Sequence, residues 1–319
     1  MRNTDVSVVI VAGGARPDID ECLLSLSEST YTPREILVVD NSPEGLGETF
    51  SVAFPRANIV QPKRRLTFAE AANFGMRMAV SRGARAVLLL NDDVTVHAQA
   101  LSILAEAQRA HGPGIFAPEI WPYESTRSRT RFAIDWEKRL ITRVPVAVNG
   151  RFTPIDYAEG SAVLVSAVVM GRIGLFDEKF GFYYEDADFS IRAKDAGFPV
   201  VEVEGARVWH KGSVSAGVGL SPFKAYYRVR NTVLFALKHR RRAHVTKVTA
   251  YHFWAFVLPA ALRCAARAAL GSKAHAETLA AMVRGTIDLL TGGGKIYLPR
   301  RLPDITEQIA RLTLPRQAC

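Results

Sequence analysis

Three runs dominated by β-branched and aliphatic residues constrain this chain most, because each stops abruptly at small or polar residues. Val6-Ser7-Val8-Val9-Ile10-Val11 stops at Ala12-Gly13-Gly14, and Glu35-Ile36-Leu37-Val38-Val39 stops at Asp40-Asn41-Ser42-Pro43. Ala86-Val87-Leu88-Leu89-Leu90 stops at Asn91-Asp92-Asp93. Strands that are apolar on both faces belong inside a parallel sheet covered on both sides. Helical spacing fills the gaps, with Ile19, Cys22, Leu23 and Leu26, then Phe68, Ala71, Ala72 and Met76, then Leu101, Leu104 and Ala105 on single faces. With a short strand at Asn58–Val60, strand and helix alternate four times. This predicts a doubly wound α/β sheet whose ligands sit at the carboxyl ends of the strands. After Gly114 the order loosens. Strands are expected at Ile115–Pro118, Ala133–Arg143, Ala162–Val169, Val200–Val203 and Arg207–Trp209, giving a mixed sheet.

A second region begins near residue 222, where helical patterns cover Tyr226–His239, residues 245–270 and residues 274–290, the last closed by Gly292-Gly293-Gly294. Residues 221–319 hold 17 Lys and Arg against 4 Asp and Glu, whereas the chain as a whole is +10. The basic character therefore belongs to this last third and points to an anionic surface as partner, the inner leaflet of a membrane or a nucleic acid. No nucleic-acid-binding signature accompanies Arg240-Arg241-Arg242, so no nucleic acid is expected. The longest apolar stretch, Val248–Leu262, is shorter than the ~20 residues that span a bilayer and carries His252 and Pro259. It reads as a buried or interfacial helix, which membrane, catalytic domain or a second copy would cover. The first residues show no signal-peptide pattern, and the scattered Cys22, Cys264 and Cys319 form neither a disulfide framework nor a zinc motif. A cytoplasmic chain, peripheral on the inner membrane face, is expected. At 48% apolar and 23% charged, it is neither disordered nor fibrous.

The chemistry concentrates in acidic clusters. Adjacent carboxylates at the end of a buried strand are costly unless a cation or a hydrogen-bond network answers them. Asn91-Asp92-Asp93 supplies hard oxygen ligands suited to Mg²⁺ or Mn²⁺, and can also cap the next helix. Asp40-Asn41-Ser42-Pro43 alone reads as a turn. Glu185-Asp186-Ala187-Asp188 opens a helix, where negative charge is favourable. It follows Phe180-Gly181-Phe182-Tyr183-Tyr184, an aromatic wall suited to sugar or lipid, so a carboxylate there is placed to act as a general base.

Taken in order, Val6–Val11, Val38-Val39-Asp40-Asn41-Ser42, Leu88-Leu89-Leu90-Asn91-Asp92-Asp93, Gly174-Leu175-Phe176-Asp177-Glu178, Tyr184-Glu185-Asp186-Ala187-Asp188 and Trp209-His210 resemble inverting family-2 glycosyltransferases of the GT-A fold. The rhamnosyltransferase and galactofuranosyltransferase branch is the nearest in flavour, over roughly residues 5–240. The resemblance implies a GT-A catalytic domain over residues 1–221 and a helical basic region over 222–319. It implies a nucleoside-diphosphate sugar donor, UDP- or dTDP-linked, and a glycan or polyprenyl-linked acceptor of polysaccharide or cell-wall synthesis. It implies Asp186 as catalytic base, and Asn91, Asp93 and His210 as ligands of Mg²⁺ or Mn²⁺. Asp40, Asn41, Asn73 and Asp92 would face the donor, with Phe68, Ala71, Asn73 and Gly75 on the helix beneath it.

Three departures qualify the match. The first strand ends in Ala12-Gly13-Gly14 where the family favours a Thr-Tyr-Asn-like triplet, and Asn91 stands where Asp is commoner. The Gln-x-x-Arg-Trp motif of processive synthases is absent. Two rivals follow. Ala12-Gly13-Gly14-Ala15-Arg16 echoes a sugar nucleotidyltransferase loop, although Pro17 interrupts it. Asn91 also suits a non-catalytic protein with a glycosyltransferase fold.

Overall fold

The computed structural model describes residues 5–13, 16–42, 45–46, 48–123, 130–136, 141–146, 150–212, 220–239 and 242–292. Gly14, Ala15, Pro43, Arg240, Arg241 and the stretch from Gly293 to Cys319 lie outside them. The chain order is β1 (Val6–Ala12), α1 (Arg16–Ser27), β2 (Ile36–Asp40), α2 (Glu48–Ala53), β3 (Ala57–Val60), α3 (Phe68–Ser81), β4 (Ala86–Asn91), β5 (Val94–Val96), α4 (Ala100–His111) and β6 (Ile115–Pro122). Then come β7 (Thr130–Ala133), β8 (Thr142–Pro145), β9 (Phe152–Pro154), β10 (Ala162–Ser166), α5 (Ala167–Ile173), α6 (Glu185–Asp195) and β11 (Val200–His210). Helices α7 (Pro222–His239), α8 (Arg242–His252), a π-helical turn Phe253–Val257, α9 (Leu258–Ala269) and α10 (Lys273–Thr291) follow.

The main sheet has the order β3-β2-β1-β4-β10-β6-β11-β5, with β9 added to β11. Strands β1, β2, β3 and β4 are parallel, β10 is antiparallel to both β4 and β6, and β11 is parallel to β6. The carboxyl ends of β1, β2, β4, β6 and β11 therefore share one edge. β10 enters at that same edge, because it runs the other way.

Period-two alternation explains why the first strands are apolar throughout. Val8 and Ile10 point into a core with Ile19, Leu23, Leu101 and Leu104 of α1 and α4. Val9 and Val11 point into the opposite core, with Met76 of α3 and Phe189 of α6. Helix α3 is fixed by a capping box in which Thr67 Oγ1 accepts from Glu70 N–H and Glu70 Oε2 accepts from Thr67 N–H. It lies so close to the sheet that a Cβ on Gly75 would overlap the Val9 side chain and approach Val39 Cγ2 to 2.9 Å. Gly75→Ala should therefore destabilise the fold by about 1–3 kcal/mol, the usual cost of overpacking, lowering the urea midpoint without changing the slope.

Several boundaries differ from the sequence expectation. The stretch Ala133–Arg143 is not one strand: β7 and β8 form a separate antiparallel pair away from the main sheet. The strand expected at Ala162–Val169 stops at Ser166, the N-cap of α5, because Val168 and Val169 already face different surroundings on a helix. Val200–Val203 and Arg207–Trp209 are one strand, β11, interrupted only by a register shift between Val203 and Arg207. Gly205, at φ +81°, supplies the left-handed residue that this irregularity needs. Short elements β5, β9 and α2 carry too few periodic residues to announce themselves.

Candidate active site

The shared sheet edge gathers most of the expected residues. Asn91 is the last residue of β4, and its N–H bonds to Ser161 O (2.9 Å) just before β10 begins. Asp92 and Asp93 form the turn between β4 and β5. They do not cap a helix: α4 begins later, at Ala100, after Gln99. His210 ends β11 and pairs with Val94 of β5, which brings it back over this turn. Lys211 N–H also bonds to Asp93 O (3.1 Å). A further clamp holds the edge, where Lys211 Nζ meets Asp18 Oδ1 (2.8 Å) and Glu21 Oε2 (2.7 Å) of α1.

His210 Nε2 stands 3.2 Å from Asp93 Oδ1, an ion-pair contact that does not meet full hydrogen-bond geometry. Those two atoms and Asn91 Oδ1 are buried, and none has a hydrogen-bond partner among the described residues. Buried polar atoms are rarely left so. Burial disfavours a charged His210, yet Asp93, with Glu159 and Asp92 behind it, holds its pKa above the usual range. Three orphaned donor atoms, one imidazole, one carboxylate and one amide, at one edge fit the first coordination shell of a divalent cation. Among the described residues no three His, Cys, Asp or Glu side chains cluster for a metal, so the set depends on the Asn91 amide.

Asp92 faces the other way, its Oδ2 accepting from Gly13 N–H (2.8 Å). That bond takes up an amide that a phosphate-cradling loop would need free, and so speaks against the nucleotidyltransferase loop. Both Asp40 oxygens are taken by the loop after β2: Ser42 N–H and Oγ–H donate to Oδ1, and Leu46 N–H donates to Oδ2 (2.8 Å). Two expected donor residues serve the scaffold instead. Asn41 pairs with both backbone groups of Leu66 (2.8 and 2.9 Å). Asn73, buried in α3, holds the N–H and C=O of Phe176 and reaches Glu178. Their side chains are occupied in tying the strand-end loops to the 174–178 segment and α3.

Asp186 sits in the first turn of α6. Its Oδ2 accepts from Gly160 N–H (3.0 Å) and its Oδ1 from Ala187 N–H (2.8 Å), which joins α6 to the start of β10. Burial raises its pKa against the pull of these N–H groups. Glu185 is more deeply buried, and burial with the Asp186 charge drives its pKa well up. Asp186, in the same helical turn, is the less buried of the two carboxylates.

Sequence reasoning missed Glu159. Burial, then Asp186, pushes its pKa up to about 7, while His210 pulls it down. It therefore feels both Asp186 and the His210 side of the edge. The signal was a carboxylate beside Gly160-Ser161 immediately before an apolar strand. Asn231 of α7 was also missed. Its Nδ2 donates to the carbonyls of Phe180, Phe182 and Tyr183 (2.8, 2.8 and 3.0 Å). It thereby holds a loop in which Tyr183 and Tyr184 both take positive φ (65° and 73°), a conformation costing about 1–3 kcal/mol per residue.

A buried network continues this clamp. Asp188 receives Arg192 Nε (2.8 Å), Lys238 Nζ (2.7 Å) and His239 Nε2 (2.8 Å), locking α6 to the end of α7. Burial opposes its charge, but these three donors outweigh it and depress its pKa. Its stabilisation is thus full above the unfolded value of about 3.9 and fades as pH falls through the lower folded value. Asp188→Ala should cost about 3–5 kcal/mol at neutral pH. The deficit should shrink on acidification, as denaturation midpoints at several pH values will report.

A model of the family described as glycosyl transferase family 2 matches residues 7–168, half of the sequence and the whole strand-end edge up to β10. The chain belongs to that family. It is 26% identical over 271 residues to the N-acetylglucosaminyl-diphospho-decaprenol L-rhamnosyltransferase of Mycobacterium tuberculosis, covering 74% of this chain and 86% of that protein. It is 22% identical to the dTDP-rhamnosyl transferase RfbF of Shigella flexneri, covering 74% and 81%. Among solved structures, the mannosyltransferase PcManGT of Pyrobaculum calidifontis, in complex with GDP-Man and Mn²⁺, shares the fold at a TM-score of 0.54 and 17% identity over 90% of this family-2 chain and 87% of that one. GalNAc-T7 with UDP, GalNAc and Mn²⁺ gives 0.56 and 18%, with 77% of this chain spanning 53% of that one. This glycosyltransferase thus has the GT-A architecture expected of it: a central mixed sheet, then helices.

Proposed function

We propose that this glycosyltransferase moves a sugar, with inversion, from a nucleoside-diphosphate donor to a hydroxyl of a glycan or lipid-linked glycan. The observation that carries the reading is the pairing of orphaned Asn91, Asp93 and His210 atoms with a pKa-raised Asp186 along one sheet edge. Asn91, Asp93 and His210 would hold Mg²⁺ or Mn²⁺, which when bound supplies positive charge to the departing diphosphate. Asp186 accepts the acceptor hydroxyl's proton, on the face opposite the leaving group, so that one in-line displacement inverts the anomeric centre. Gly160 and Ala187 N–H groups hold its carboxylate in place. Asp92 would line the donor side, and Asp40, Asn41 and Asn73 fix the loops around it. Glu159 lies in the electrostatic field of both Asp186 and His210.

The names of the relatives make a dTDP-linked rhamnose the first donor to try, and UDP-linked sugars the second. The deciding experiment is a thermal-shift panel of dTDP- and UDP-sugars with Mn²⁺, followed by product analysis with a prenyl-diphosphate-linked saccharide. Stabilisation by a nucleotide sugar only when a divalent ion is present supports the reading. Stabilisation by nucleoside triphosphate with pyrophosphate release would return the nucleotidyltransferase alternative.

A further inference from the structure

Most of the large apolar side chains left exposed among the described residues lie on α8, the π-helical turn, α9 and α10. Tyr251, Phe253, Trp254 and Leu262 are all exposed on the α8–α9 rod, with Trp254 67% exposed. The π-helical turn sets Phe253 and Trp254 side by side, edge to face at 5.5 Å. The opposite side of the same rod is packed: Val248, Ala260 and Cys264 are buried, and Ala260 meets Ala225, Val229 and Met282. Packing among the described residues therefore accounts for one side of the rod and leaves Phe253 and Trp254 exposed. Isolated exposed apolar residues need no explanation, but an aromatic cluster of this kind does.

Charge selects the occupant. Residues 242–276 carry Arg242, Lys247, Arg263, Arg267 and Lys273 and no Asp or Glu. Arg263 and Arg267 are exposed on α9 beside Leu262. So one-sided a composition calls for an anionic surface. An anionic bilayer fits, since Trp and Tyr favour the headgroup level and basic residues are drawn to acidic lipid. No described helix is long and apolar enough to cross a membrane, so a helix lying in the interface plane is the geometry left.

We infer that the Tyr251–Leu262 face of the α8–α9 rod docks this glycosyltransferase flat on an anionic membrane, with Phe253 and Trp254 as the inserting pair. The inference rests on the proposed function only for its purpose, which is to bring the Asp186 edge to an acceptor held at a lipid surface.

The test uses the full chain, without donor or acceptor, so its outcome is independent of the donor and base assignments. The protein is floated with vesicles of phosphatidylglycerol mixed with phosphatidylcholine, or of phosphatidylcholine alone. Binding should need phosphatidylglycerol and fall with salt. Tryptophan emission should shift to the blue and be quenched by brominated lipid, and Trp254→Phe should remove the quenching. Trp254→Ser with Phe253→Ser should abolish flotation, whereas Val52→Ser, exposed on α2, should not. Arg263→Gln and Arg267→Gln should each weaken partitioning about fivefold, which is about 1 kcal/mol per charge. Equal binding to neutral vesicles, no binding at low salt, or quenching that survives Trp254→Phe would overturn the inference. So would a dimer in solution that the Trp254→Ser change dissociates while vesicles remain unbound, because the face would then belong to a second copy. Melting curves confirm that each variant is folded, and the quenching of the unaltered chain stands without any variant.

Discussion

Asp186→Asn should slow sugar transfer by roughly 10²–10⁴-fold while leaving donor affinity almost unchanged. The substitution keeps the shape of the side chain, and its amide oxygen can still accept one of the two N–H bonds from Gly160 and Ala187. What it removes is the capacity to take a proton. Burial has already lifted the Asp186 pKa, which makes the carboxylate a better proton acceptor than an exposed aspartate. Its loss should therefore appear in kcat and in kcat/KM alike, with the nucleotide-sugar thermal shift retained. The companion change is Glu185→Gln. Glu185 is buried and its pKa is driven well up, which favours its neutral form, so a neutral isostere takes little from the site. The rate should fall little. If Glu185→Gln proved the more damaging change and Asp186→Asn stayed active, the adjacent carboxylate would be the base and the role given to Asp186 would be wrong.

The parallel half of the sheet was legible because the sequence carries it twice, in apolar strands and in the polar residues that end them. Val8 and Val9 had to face opposite cores, and they do. Asn91, Asp93 and His210 were legible as a group only through the family motif, since His210 reaches the site by way of β11 and nothing local to it points there. The pairing of β11 with β5 performs that step, and β5 is three residues long, too short to show periodicity. Asn41 and Asn73 illustrate a different gap. Residue type marks them only as polar, and their amides close onto backbone groups of Leu66 and Phe176, partners 25 and 103 residues away. Glu159 and Asn231 escaped because their importance lies in contacts with segments that no window of sequence contains. Asn231 binds carbonyls about fifty residues upstream, and the strain it holds at Tyr183–Tyr184 has no composition signal at all.

Asp93→Ala should abolish turnover and weaken Mn²⁺ binding by more than the roughly 10–100-fold that loss of a residue merely supporting a metal ligand costs. Asp93 offers the one full negative charge among the three orphaned ligand atoms, because Asn91 is an amide and His210 binds a metal only when neutral. Removing that charge leaves an amide and an imidazole, a set with little hold on a hard cation. His210→Gln should be milder for Mn²⁺ affinity, since it removes a neutral donor. The fold should survive both changes. Asp93 side-chain atoms make no hydrogen bond within the described residues apart from the misaligned approach to His210, so nothing in the core is left unpaired by its removal. Mn²⁺ binding is read directly, from the loss of the free-ion resonance signal on titration, and donor-dependent stabilisation is measured in parallel with and without chelator. Both should disappear together in Asp93→Ala. Unaltered Mn²⁺ affinity in that variant would show that the cation sits elsewhere. Full transfer activity in excess chelator would remove the cation from the mechanism and leave the orphaned trio to be explained by ordered water.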